Sequence, residues 1–110
     1  MNNTDLIEKL IDSILSLKKV ILFTQDHIGK VEDITEDTRQ DILFRMKGYS
    51  DSVDKQLSLI GELEQKFAAG DSEGIGNIAK RINALSLFIR NDAREIIARQ
   101  KGEKIETNKH

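Results

Sequence analysis

From Leu6 to Val31 the apolar residues of this sequence fall at intervals of three, four or seven: Leu6, Leu10, Ile14, Leu17, Ile21, Ile28 and Val31. A strand would turn successive residues to opposite faces, whereas this spacing gathers all seven on one side of a helix. Two later stretches repeat the pattern, one through Ile42, Met46, Tyr49, Val53, Leu57, Ile60, Leu63 and Phe67, the other through Ile75, Ile78, Ile82, Leu85, Ile89, Ala93 and Ile96. No proline breaks any of them. Three amphipathic helices must bury their stripes against one another, and 110 residues leave room for one core. The expected architecture is all-α: an elongated, up-down-up antiparallel three-helix bundle. One domain covers 1–102, with 103–110 as a flexible polar tail because the third helix should fade near Gly102. Leu6, Leu10, Leu17, Ile21, Ile42, Val53, Leu57, Ile60, Ile78, Ile82, Leu85 and Ile89 are expected in the core, in helices of about 30 residues and about 45 Å each.

The boundaries follow from capping chemistry. Asp5, with Glu8 three residues on, reads as a capping box opening the first helix. The acids and threonine of Glu32-Asp33-Ile34-Thr35-Glu36-Asp37 suit the positive end of a second helix, so a turn belongs here, although one long bent rod would also carry the pattern. Ala68-Ala69-Gly70 supplies a left-handed stop, and Asp71 or Ser72 caps the third helix. Gly48 and Gly61, inside the second helix, are expected to mark close packing or a bend. The cluster of Gly70, Gly74 and Gly76 makes the third helix dependent on docking for its stability.

Composition narrows the functional classes. Seventeen basic side chains against nineteen acidic ones leave a formal charge of -2, with no single-sign field to attract nucleic acid or anionic lipid. Without cysteine there is no thiol nucleophile, thiolate metal site or disulfide. Only His27 and His110 could supply an imidazole, and neither stands in a metal-ligand spacing, so neither a metal nor a cofactor is expected. Acids such as Glu32-Asp33 and Glu36-Asp37 diverge by about 100° on a helix instead of converging on one proton, and no catalytic residue is expected. No apolar run reaches the about 20 residues of a membrane span, and Met1-Asn2-Asn3-Thr4 does not read as a cleaved export signal; the cytoplasm is the expected location. The G-rich segment 70–76 lacks the Gly-Lys-Ser/Thr ending and preceding strand of a phosphate-binding loop.

Two surfaces stand outside the expected core. A second apolar row on the first helix, Ile11, Leu15 and Leu22, widens its face beyond what one neighbour covers, and a homodimer is the expected means of burying it. On the third helix Leu87 points almost opposite the core stripe, with Ala84, Asn91 and Arg94 beside it and Phe88 on the flank; this patch is the expected partner-binding site.

The run Leu57, Ile60, Leu63, Glu64 and Phe67, with the entry Ile34-Thr35-Glu36-Asp37-Thr38-Arg39, resembles the long central helix and helix junction of the FlgN-like flagellar export chaperones; the chain length is closer to the related FliT type. The resemblance covers residues 34–67 and implies a non-catalytic chaperone or adaptor that holds an amphipathic helical segment of a secreted flagellar subunit before export. Asp26-His27-Ile28-Gly29-Lys30 resembles the motif of histidine-phosphotransfer domains, which implies a phosphoryl group on His27 neutralised by Lys30; the family's glycine follows the lysine, where this chain has Val31. A structural coiled-coil dimerisation module is the third expectation that the pattern allows.

Overall fold

The computed structural model describes the backbone of residues 3–109 and the side chains of residues 5–99. Three helices follow one another: α1 (Asn3–Lys30), α2 (Glu36–Ala69) and α3 (Ser72–Lys109). The chain forms an all-α three-helix bundle with principal extents of 61 × 26 × 22 Å. α2 packs against both α1 and α3, while no Cα atom of α1 comes within 8 Å of one in α3 among the described residues. α2 is therefore the shared wall of two helical hairpins.

The turn between α1 and α2 is real, and its chemistry is local. Thr35 lies in extended backbone, and its hydroxyl accepts from the Thr38 N–H at 3.1 Å, capping α2. Arg39, in the first turn of α2, reaches back across the junction. Its guanidinium donates to the Ile28 carbonyl and, at 2.5 Å, to the Val31 carbonyl, satisfying groups that the end of α1 would otherwise leave open. Nε pairs with Glu36 at 3.2 Å. Glu36 also accepts from Gln40, and that bond, with the Arg39 pair, lowers its pKa.

The second turn is a left-handed stop. Gly70 has φ 67° and ψ 27°, and the N–H groups of Gly70 and Asp71 bond back to the carbonyls of Phe67 and Lys66 at 3.1 and 3.0 Å. Asp71 then caps α3, accepting the Gly74 N–H at 2.9 Å and lying 3.5 Å from the Lys66 ammonium. The backbone bond from Gly74, helped by Lys66, lowers the Asp71 pKa against the opposing effect of partial burial. A Cβ on Gly74 would press on the Asp71 carboxylate and stand 2.8 Å from Cδ of Lys66, so both side chains would have to shift.

The core comprises Ile14, Ile21, Tyr49, Val53, Leu59, Ile60, Leu63, Ile78, Ile82 and Ile89. Leu10, Leu17, Leu57 and Leu85 pack partly buried around it. Leu6, expected inside, is 47% exposed because it lies near the open end of α1, and Ile42 is only half-buried. Leu59 enters the core although it lies off the expected stripe, since α2 must bury one flank toward each neighbour. Gln56, fully buried, donates from Nε2 to the Ile82 carbonyl at 2.9 Å and to Ser86 Oγ at 2.7 Å, fixing the register of α2 on α3. Its Oε1 is buried and accepts no hydrogen bond.

Other boundaries differ from those read in the sequence. Helix α1 begins at Asn3, so Asp5 lies within its first turn and is not the cap. Helix α3 runs past Gly102 to Lys109: a single glycine costs about 1 kcal/mol, which the strong helix formers Lys101, Glu103, Lys104 and Glu106 around it offset. The helices are accordingly unequal, at 28, 34 and 38 residues. The side chains of 103–110, the expected tail, and the whole of His110 lie outside the described residues. Gly48 and Gly61 have open space where a Cβ would stand, so neither marks close packing.

Candidate functional site

On the outside of the α2·α3 hairpin the two helices leave a cleft of about 480 Å³, lined by Asp41, Phe44, Arg45, Lys47, Gly48, Tyr49 and Asp51 of α2 and by Phe88 and Asp92 of α3. Its floor is a polar network. Arg45 holds Asp92 at 2.9 Å through Nη1 and Asp41 at 3.3 Å through Nε, and the Tyr49 hydroxyl donates to the other carboxylate oxygen of Asp92. Partial burial works against the Arg45 cation, but its hydrogen bonds to Asp92 and Asp41 prevail and raise its pKa. Tyr49 is buried, and burial together with the bond to Asp92 raises its pKa well above the ordinary phenol range. Arg45 and Asp92 are each about one-fifth exposed, so the network is partly shielded from water and holds α2 and α3 in fixed relation.

Two aromatic rings stand exposed in the walls, among the charged side chains of Asp41, Lys47 and Asp51. Phe88 meets the Tyr49 ring edge to face, with centroids 6.3 Å apart and planes at 80°, yet remains 50% exposed. Phe44, on the outer face of α2, is 77% exposed. Two phenylalanines thus stand at one opening above a rigid polar floor.

This cleft absorbs only part of the surface expected from sequence. Phe88 is in it. Leu87, 38% exposed, lies on the adjoining outer face of α3 with Ala84, Asn91 and Arg94, all exposed. Phe44 is not among the residues read from the sequence because it lies off the α2 stripe; the only sequence signal is an aromatic among Asp41, Lys47 and Asp51. Of the other expected row, Ile11 packs partly buried against the core while Leu15 and Leu22 are exposed. These two line a shallow depression on α1 with Asp12, Ser16, Lys18 and Lys19, and Lys18 bonds Asp54 of α2 at 2.7 Å.

His27 is exposed near the end of α1, with its ring stacked on Phe23 at 6.2 Å and 3°. Lys30 is engaged by Asp26 at 3.1 Å. Among the described residues no group of three His, Asp or Glu side chains could hold a metal ion. No described helix is long and apolar enough to cross a membrane. No family profile matches this chain, and neither a curated protein nor a solved structure matches it.

Proposed function

We propose that this chain is a non-catalytic adaptor that receives an amphipathic helical segment of a partner protein at the Phe44–Phe88 cleft and the adjoining Leu87 face. The observation that carries the reading is the pair of exposed phenylalanines at one opening, over the Arg45–Asp92–Tyr49 floor. Apolar side chains spaced three and four apart on an incoming helix would bury both rings, and burial of apolar surface would supply the affinity. The floor keeps the walls at fixed separation, so little ordering cost falls on binding. The sequence resemblance to flagellar export chaperones agrees with such a task and suggests a secreted flagellar subunit as cargo in the cytoplasm. Its matching residues Ile60 and Leu63 are buried and Leu57 and Phe67 half-buried, so they bear on how α2 packs and not on cargo choice.

The test is capture of flagellar hook-associated and cap proteins by the intact chain, compared with Leu87→Asp and Phe88→Asp. Both variants should retain helical circular dichroism and lose cargo, since central aromatic and aliphatic contacts carry most of an interface's affinity. Equal recovery of cargo by all three proteins would refute the assigned surface.

A further inference from the structure

Charge is distributed on α3 unlike on the rest of the chain. Over 74–94 the helix carries Lys80, Arg81, Arg90 and Arg94 against one acid, Asp92, whereas the whole chain has more acids than bases. Asp92 is engaged inside the molecule by Arg45 and Tyr49. The four cations are exposed, and none of them makes an ion pair among the described residues. Lys80, Ala84, Leu87, Asn91 and Arg94 follow one another at intervals of four, three, four and three, which sets them in one stripe down the outer face of α3. A cation therefore stands at each end of this stripe, the two about 21 Å apart along the axis, with Leu87 midway between them. Arg81, Ala84 and Phe88, spaced three and four apart, form the neighbouring row on the cleft side. The opposite wall, on α2, has no excess of cations: exposed Asp41 and Asp51 stand there with Lys47.

We propose that the segment received at this surface is an acidic amphipathic helix of about four turns, with apolar residues over Leu87 and Phe88 and acids along the edge that faces α3, opposite Lys80 and Arg81 at one end and Arg94 at the other. This inference rests on the adaptor reading and adds to it the chemistry that selects the partner. Charge complementarity fixes the occupant: a basic helix is repelled at both ends of the stripe, and a neutral one gains only the apolar contact. Asp41 and Asp51 on the α2 wall turn acids away, so the acids of the incoming helix belong on one flank of its apolar stripe, and this sets its rotation in the cleft. A nucleic-acid backbone fits less well, because Leu87 stands between the terminal cations, where an aliphatic side chain gains from burial and a phosphate loses its hydration. Exposed ion pairs are individually weak and screened by salt, so the cations choose among helices while Leu87 and Phe88 hold the one chosen.

Fluorescence anisotropy of the full chain with three labelled helical peptides of about 25 residues measures it. The peptides share one leucine stripe and differ only in the positions flanking it, filled with Glu, Gln or Lys. At low salt the Glu peptide should bind about tenfold tighter than the Gln peptide and the Lys peptide about tenfold weaker, and the spread should close at about 0.5 M salt. Lys80→Glu and Arg94→Glu, combined in one chain, should reverse the order with helical circular dichroism unchanged. Several results would overturn the proposal: Glu and Gln peptides bound alike, an order that the double variant leaves in place, or a single-stranded oligonucleotide of equal charge that displaces the Glu peptide at equal concentration. A dimer of the chain alone, abolished by the double variant, would give the surface to a second copy and overturn it equally. Three peptides bound alike and all lost with Phe88→Asp would refute the charge selection and leave the adaptor reading standing, whereas no peptide bound at all would remove both.

Discussion

Replacing Gln56 by leucine should make the protein more stable. Gln56 Nε2 forms two hydrogen bonds, to the Ile82 carbonyl and Ser86 Oγ, and losing them costs about 0.5–1.5 kcal/mol each. Neither partner is stranded by the change: the Ile82 carbonyl lies inside α3, where the helix supplies a donor, and Ser86 is exposed to water. Against that loss, the substitution removes a buried, unbonded Oε1, a defect worth about 1–3 kcal/mol. It also places an apolar side chain in a fully buried position, worth about 1.5–3 kcal/mol before a shape penalty of about 1 kcal/mol. The balance is a gain of about 1 kcal/mol, equivalent to about 0.5 M in the urea midpoint for a domain of this size. Urea unfolding followed by circular dichroism reads it directly. Gln56→Ala, which loses the bonds and leaves a cavity, should fall below wild type by about 2 kcal/mol. If Gln56→Leu is instead destabilised by 1 kcal/mol or more (about 0.5 M in urea), the two hydrogen bonds outweigh the orphan acceptor and the reasoning fails.

Arg39→Ala removes the bonds to the Ile28 and Val31 carbonyls and should cost about 2 kcal/mol in urea unfolding, with amide exchange rising first in the last turn of α1. Gly61→Ala has open space for its methyl and should stabilise by about 0.5–1 kcal/mol, whereas Gly74→Ala should lower the melting temperature because the methyl displaces the Asp71 cap. The lowered pKa of Asp71 means its carboxylate stabilises the fold fully above the ordinary aspartate pKa, about 3.9, and loses that contribution as the pH falls toward its folded value. The melting temperature of Asp71→Asn should therefore depend less steeply on pH between about 2 and 4 than that of wild type. Tyr49 is the only tyrosine and there is no tryptophan, so phenolate absorbance near 295 nm reports on this group alone. Its raised pKa contributes stability below the ordinary phenol value, about 10, that is lost above it, and the absorbance should appear only as the alkaline protein unfolds. A normal titration with circular dichroism unchanged would contradict the Tyr49–Asp92 bond.

The stripes that run through Val53, Ile60, Ile82 and Ile89 were legible in the sequence because burial on one side of a helix leaves a period of three to four residues. Gly70 was legible because a left-handed stop has few other residues to choose from. Arg39 and Gln56 were not, since their roles depend on what another helix brings within reach, and no spacing along α2 encodes a carbonyl at Ile28 or Ile82. The end of α3 was misplaced for a related reason: one glycine carries a small penalty, and its neighbours decide whether the helix passes through it. Of the candidate site, Phe88 and the Leu87 face could be read from their orientation against the α3 stripe. The Arg45–Asp92–Tyr49 floor could not, because Tyr49 and Asp92 are 43 residues apart and meet only when α2 and α3 align.

The arrangement in which α1 and α3 each pack on α2 but keep their backbones apart has a consequence for how the molecule comes undone. Backbone contact runs as two couplings that share one central member, with side chains of all three helices in one buried core. Damage to α2 weakens both couplings and should melt the molecule in one step. Damage confined to α1 leaves the Gln56 and Tyr49 links to α3 intact, so α1 should peel away as a separate, lower-energy opening while the other hairpin persists. A Leu17→Ala substitution would then lower the exchange protection of α1 well before that of α3, and the outer helices of this protein would behave as independent leaves on a common spine.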